Sequence, residues 1–309
     1  MLRIEHPVVD DDDTISWKGL LQNTDHTVIR VPDLETAIRW YEQVLGLAVV
    51  EASHGHAYLA SPVTGTIILG LREDGTGLAS VNFRARTSTA FDLLGSKLDN
   101  AGIATTVESE RQRPGVLETL SLTIPTGHTF EIVRAETDPP AAPVSGEYRP
   151  GAIDVRTSHL QLRTTDVKHM TEFLSVMGFR SSTFVSLPGS DGFFIQFLRI
   201  NEFHHQIAIL TGQNGVHHVA LELDEADFWR FLDNLQMLKN AAEYGPVRHH
   251  EGNMLSIYVR DPFGNRIEIT STMETVGFDY APTAAGHEPW YHMNMWGPQP
   301  PESWETEWM

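Results

Sequence analysis

Three segments of this chain each carry one side chain able to grip a cation: His159 in TSHLQLR, His218 in VHHVALEL and Glu268 in NRIEIT. Each segment alternates polar with apolar residues, the period of a β-strand, so successive side chains point to opposite faces. In the first, His159, Gln161 and Arg163 share one face while Leu160 and Leu162 take the other. In the second, His218, Ala220 and Glu222 oppose His217, Val219, Leu221 and Leu223, which selects His218 over His217. In the third, Glu268 opposes Ile267 and Ile269. Two neutral imidazoles and one carboxylate make a facial triad, a ligand set that leaves coordination positions open and suits non-haem Fe(II) and oxygen chemistry. Mn(II) is compatible with the same donors. A divalent ion so held keeps net positive charge, enough to take an anionic chelating molecule and O2 together.

The elements that must position these residues repeat along the chain. TDHTVIRVPD (24–33) leads into LETAIRWYEQVLGL, and TSHLQLRTTD (157–166) leads into VKHMTEFLSVMGF. Each begins as an alternating strand, passes an Asp able to cap a helix (Asp33, Asp166) and closes the helix at a Gly (Gly46, Gly178). Leu34, Ala37, Ile38, Tyr41 and Leu45 follow helical spacing, as do Val167, Met170, Leu174 and Met177. The ends of the halves match without a gap: LSLTIPTGHTFEI (120–132) lies on IYVRDPFGNRIEI (257–269), with Pro125 on Pro262, Gly127 on Gly264 and Glu131 on Glu268. A second strand–helix pair inside each half, at 79–101 and 216–238, completes a reading of four βαβββ units in two pairs. The fold class is α+β.

This duplication supplies an internal control. His26 aligns with His159 and Glu131 with Glu268, but Ser80 stands where His218 does and Ser121 where Tyr258 does. The first half is therefore expected to be a structural copy without a complete metal site.

Composition narrows the partners. With 309 residues and 41% hydrophobic content, the chain can bury two ordinary cores. Twenty-two basic against forty-one acidic side chains give a formal charge of -19, which repels nucleic acids and anionic membranes. Cysteine is absent, so any metal must be held by His and carboxylate. The start, MLRIEHPVVDDDD, lacks a basic segment followed by an apolar run, no stretch has the length of a membrane span, and a cytoplasmic location is expected. No Gly-rich dinucleotide fingerprint occurs.

The stretch VRHHEGNMLSIYVRDPFGNRIE (247–268) resembles the signature of type I extradiol ring-cleaving dioxygenases of the vicinal oxygen chelate superfamily. In that signature a His lies eight residues before an apolar–Tyr pair and a Glu ligand lies ten after the Tyr, which matches His249, Tyr258 and Glu268. FHHQIAILTGQNGVHHVALEL (203–223) resembles the family segment in which one His precedes the second metal His across a Thr-Gly turn, and marks His205. His204 and His250 are the neighbouring alternatives; the resemblance selects His205 and His249. It covers about Leu20 to Thr272.

The resemblance implies a vicinal oxygen chelate, glyoxalase-like fold whose active site lies in the C-terminal domain. It implies His159, His218 and Glu268 as ligands of Fe(II), or Mn(II), with His205 as acid/base and His249 and Tyr258 as hydrogen-bonding groups. The substrates would be O2 and a catechol-like molecule, cleaved beside its diol in the breakdown of aromatic compounds by a homo-oligomeric enzyme. The expected layout is an arm at 1–19, a first domain at 20–139, a linker at 140–152, a catalytic domain at 153–272 and a Trp- and Pro-rich tail at 273–309. That tail holds four of the seven Trp and would pack on the surface, cover the pocket, or do both. Loops at 187–194 and 244–248 are expected to shape the pocket with it. A glyoxalase- or fosfomycin-resistance-like metalloenzyme, or a metal-free aromatic-binding protein, would share the fold but lack the His205, His249 and Tyr258 set or the triad.

Overall fold

The computed structural model describes residues 19–109, 113–135, 152–277, 279–285 and 293–309. The expected arm and linker lie almost wholly outside the described residues. The first unit runs β1 (Leu21–Arg30), α1 (Leu34–Val44), β2 (Ala48–Ser53), β3 (His56–Ala60) and β4 (Ile67–Arg72). The second is β5 (Gly77–Ala85), α2 (Ser88–Asn100), β6 (Thr105–Glu108), β7 (Val116–Thr123) and β8 (Thr129–Ala135). The third is β9 (Arg156–Thr164), α3 (Val167–Val176), β10 (Arg180–Ser186), β11 (Phe193–Arg199) and β12 (Ile207–Thr211). The fourth is β13 (Gly215–Leu223), α4 (Glu225–Met237), β14 (Tyr244–His249), β15 (Leu255–Arg260) and β16 (Arg266–Ser271). The tail adds β17 (Thr283–Ala284), β18 (Asn294–Trp296) and α5 (Glu302–Thr306). These are the four βαβββ units that the repeat implied.

Local chemistry sets the boundaries. Asp33 and Asp166 each accept the backbone N–H three residues on, which caps α1 and α3. The units pair into two sheets of the same plan, β2-β3-β4-β1-β5-β8-β7-β6 and β17-β10-β11-β12-β9-β13-β16-β15-β14-β18. At each centre the leading strands, β1 with β5 and β9 with β13, run antiparallel, and each second leading strand lies parallel to the last strand of its own unit. The apolar faces, Ile29, Val81 and Ile132 in one sheet and Leu160, Val219 and Ile267 in the other, are buried with Tyr41, Met170 and Phe228 of the helices. Each such side chain contributes on the order of 1.5–3 kcal/mol on burial.

The Asp261–Gly264 turn is a structural joint. Asp261 Oδ1 accepts the N–H groups of Phe263 and Asn265 at 2.9 Å each, and Tyr41 of the first half donates to Asp261 Oδ2 at 3.2 Å. Gly264 at φ 89° and Gly127 at φ 87° make the same left-handed step in the two halves, which explains why the repeat keeps a Gly there.

The tail covers both edges of the larger sheet, with β17 alongside β10 and β18 alongside β14. Its helix α5 is clamped by fully buried Arg266, which donates to Ser303 O at 2.9 Å and Glu307 O at 3.0 Å. Glu243 accepts both arms of Arg266 and of Arg260, at 2.7 to 2.9 Å, and Ser303 Oγ at 3.0 Å. Met309 N donates to Val216 O at 2.9 Å.

Candidate active site

Strands β9, β13 and β16 are neighbours in the larger sheet, and each projects one polar side chain onto the same face. His159 Nε2 and His218 Nε2 each lie 2.9 Å from Glu268 Oε2 and 3.3 Å from one another. All three residues are buried, and they form a group that could hold a metal ion. Ligands at right angles around an ion at about 2.1 Å stand about 3 Å apart, so this triangle has the size of one face of a coordination shell. Glu268 Oε2 has no hydrogen-bond donor in reach with acceptable geometry although it is fully buried, and a cation at the centre would satisfy it. The residues therefore fit the ion expected from them. Burial alone would raise the Glu268 carboxyl, yet the two imidazoles hold it well below the carboxylate range. Burial pushes the His218 imidazole down to about 4, so it is neutral and able to ligate at neutral pH.

The other oxygen of Glu268 is fixed by a hydroxyl. Tyr258 donates to Glu268 Oε1 at 2.9 Å, and His249 Nε2 bonds the Tyr258 hydroxyl at 2.9 Å. Asn294 Oδ1 lies 2.8 Å from His249 Nδ1, and Asn294 Nδ2 bonds the Tyr244 hydroxyl. Burial, then the Glu268 charge, raises the Tyr258 phenol well above its usual range and keeps it a donor. His250 is exposed and binds Met293 only through its backbone.

His205 is 1% exposed and packs against His159, with ring centroids 4.4 Å apart. Its Nδ1 lies 2.9 Å from His204 Nδ1, and His204 Nε2 lies 2.9 Å from Thr183 Oγ1. The remaining nitrogen of His205, Nε2, is the one available to the pocket. Burial lowers both rings, His204 to about 4 and His205 well below the usual range.

His217 departs from simple alternation. A bulge between Val216 and His218 interrupts the pairing of β13 with β9, and it turns His217 beside His218 rather than away from it. The two Nδ1 atoms are 2.8 Å apart, and His217 Nε2 lies 2.6 Å from the backbone oxygen of Trp304.

The pocket at the triad is lined by His205, His249, Tyr258, Phe197, Met254 and Trp304, among others. Trp304 packs on His217, Tyr244 and Tyr258, and its indole nitrogen is buried without a hydrogen-bond partner. Met293 and Trp304 are thus the tail's contribution to the wall. The loop at 187–194 does not reach it; Ile195 and Phe197, further along β11, do, because their side chains alternate inward. From the far edge, the wall is built by His249, Glu251 and Met254 rather than by 244–248.

Sequence reasoning set His204 and His217 aside in favour of their neighbours and did not reach Asn294 or Trp304. Adjacent His pairs at 204–205 and 217–218 were the available signal, since two imidazoles in tandem can bond one another.

The first half takes a different course. His26 Nδ1 is engaged by Asp25 Oδ1 at 2.8 Å and by Arg113 Nε at 3.1 Å, and Arg113 and Arg84 both pair with Asp25. Ser121 donates to Glu131 at 3.3 Å, in the register that Tyr258 and Glu268 occupy in the second half. Among the described residues, the triad in the second half is the one group with metal-binding convergence.

Two sheets of paired βαβββ units and a His–His–Glu cluster on one face of the second define a class. The chain belongs to the Glyoxalase/Bleomycin resistance protein/Dioxygenase superfamily, which it matches over residues 23–132 and 156–269. Among characterised relatives, it is 28% identical over 250 residues to a 1,2-dihydroxynaphthalene dioxygenase of Sphingobium xenophagum, covering 76% of this chain and 83% of that protein. It is 27% identical over 270 residues to a metapyrocatechase of Pseudomonas sp. (strain CF600), covering 82% and 86%. The fold matches that of homoprotocatechuate 2,3-dioxygenase from Arthrobacter globiformis with a TM-score of 0.82 at 24% identity, over 94% of this chain and 92% of that one.

Proposed function

We propose that this chain is an Fe(II)-dependent extradiol dioxygenase that opens a catechol-type ring beside its diol and inserts both atoms of O2, with Mn(II) as the alternative ion. One observation carries the reading: His159, His218 and Glu268 converge within 2.9 to 3.3 Å, and His205, His249 and Tyr258 line the same pocket. The named activities of the dihydroxynaphthalene dioxygenase, the metapyrocatechase and a biphenyl-2,3-diol 1,2-dioxygenase of Sphingomonas paucimobilis support it.

His159, His218 and Glu268 would hold the ion. When bound, it supplies a Lewis-acidic seat that acidifies the diol and brings diol and O2 to one centre. His205 takes a diol proton at Nε2 and returns it as the ring opens; a positioned acid/base of this kind is worth roughly 10² to 10⁴ in rate. Tyr258 orients Glu268 and, with His249, offers a hydroxyl and an imidazole to the diol oxygens. Ile195, Phe197, Ala208, Met254 and Trp304 present hydrocarbon and keep bulk water from the reacting face.

A cytoplasmic homo-oligomer without nucleic-acid or membrane partners completes the proposal. The acidic composition supports the exclusion of polyanions, and no helix among the described residues is long and apolar enough to cross a membrane. Protein purified anaerobically and loaded with Fe(II) is expected to consume O2 with catechol, 2,3-dihydroxybiphenyl or 1,2-dihydroxynaphthalene and to form a ring-opened, yellow product. Diol binding by metal-free protein with no O2 uptake after loading would overturn the reading.

A further inference from the structure

The tandem His217–His218 pair has a direction that can be worked out from its ends. His217 Nε2 lies 2.6 Å from Trp304 O, and a carbonyl oxygen only accepts, so the proton sits on His217 Nε2. His217 is fully buried, and the Arg266 guanidinium donates to its carbonyl at 3.3 Å. An imidazole that donates at Nε2 to the Trp304 carbonyl presents a lone pair at Nδ1, the atom that faces His218. The 2.8 Å bond between the two Nδ1 atoms then requires the proton on His218 Nδ1. A neutral His218 so protonated has its lone pair on Nε2, the atom that faces Glu268 Oε2 and His159 Nε2.

We propose that His217 and the backbone carbonyl of Trp304 are positioning groups for the metal centre: together they lock His218 in the one tautomer that can ligate through Nε2. The inference rests on the reading of His159, His218 and Glu268 as ligands. The carbonyl is well placed to do this because α5 is tied down on both sides, by Arg266 to Ser303 O and Glu307 O and by Met309 N to Val216 O. The β-bulge is what lets the arrangement exist, since strict alternation would put the two imidazoles on opposite faces. Outer partners that fix the tautomer of a ligating His commonly contribute 10- to 100-fold in metal affinity.

Two measurements test it. In full-length protein loaded with Zn(II) and carrying ¹⁵N-labelled histidine, ring nitrogen shifts and couplings should show His217 with its proton on Nε2 and His218 with its proton on Nδ1. A proton on His217 Nδ1 overturns the proposal, with no variant needed. Titration with Zn(II), and with Fe(II) under anaerobic conditions, should show His217→Phe binding each ion about 10- to 100-fold more weakly. His217→Gln, whose amide oxygen can accept from His218 Nδ1, should recover part of that loss. Wild-type affinity in His217→Phe overturns the positioning role. His218→Ala separates the two readings. If it binds metal as the wild type does, the ligand assignment falls; if it loses metal while His217→Phe keeps it, only the positioning inference falls.

Discussion

Tyr258 donates its hydroxyl to Glu268 Oε1 at 2.9 Å across the β15–β16 pair, and this leaves Oε2 free to face the two imidazoles. Tyr258→Phe removes a donor to a buried carboxylate, an interaction worth about 1.5–3 kcal/mol. The expected outcome is a metal dissociation constant raised about tenfold or more with the fold intact, read by anaerobic Fe(II) titration beside circular dichroism. Unchanged affinity would mean that the hydroxyl serves the substrate alone.

Glu268→Ala takes away the only anionic donor of the triad. The purified variant should contain no stoichiometric iron and show no ring cleavage, while its far-ultraviolet circular dichroism matches the wild type. A variant that retains iron and turnover would refute the assignment of Glu268.

His205→Ala should keep its iron and its anaerobic affinity for the diol, because His205 is not one of the converging donors. Steady-state assays should show kcat lower by roughly 10²-fold or more with KM little changed. Equal loss of affinity and rate would point to a packing role against His159 instead.

Metal analysis should find one ion per chain, and Ser80→His should not add a second. In the first half the Arg113 guanidinium stands 3.1 Å from His26 Nδ1 and pairs with Asp25, so a positive charge already occupies the place beside the imidazole and makes the site unfriendly to a cation. Two ions bound by the Ser80→His variant would show that the missing imidazole is the sole defect.

Glu243 gives a pH dependence. Burial would raise its carboxyl, but Arg266 and Arg260 outweigh this and hold it down at about 2, against an ordinary value of 4.5. A folded-state value below the unfolded one contributes stability that is fully present above about pH 4.5 and is lost as pH falls toward 2. Thermal melts should therefore steepen downward across that window, and Glu243→Gln should lower Tm at neutral pH while flattening the acid limb. Parallel acid limbs in the two proteins would sink the idea.

Much of the architecture was legible because two periodicities carry it. Alternation in TSHLQLR and NRIEIT sets the facing of His159 and Glu268, and the gapless match of 120–132 to 257–269 sets the correspondence of the closing strands of the two halves. His217 escaped because the bulge beside it breaks the two-residue period, and a bulge leaves no mark in VHHVALEL. Trp304 and Asn294 escaped for another reason. They reach the site through long-range contacts, Trp304 through its backbone carbonyl and ring packing and Asn294 through bonds to His249 and Tyr244, and neither kind of contact is written in local sequence.

The clamp between Arg266 and α5 has a consequence for biosynthesis. His159 emerges from the ribosome some 145 residues before Trp304, yet on the proposal above His218 is not locked for ligation until the peptide group of Trp304 is docked. A nascent or prematurely terminated chain would then present a loosely oriented triad and hold iron poorly. Redox-active metal would be taken up firmly only by molecules in which residues 301–309 had been made and docked, so that uptake of the ion would double as a check on the folding of that segment.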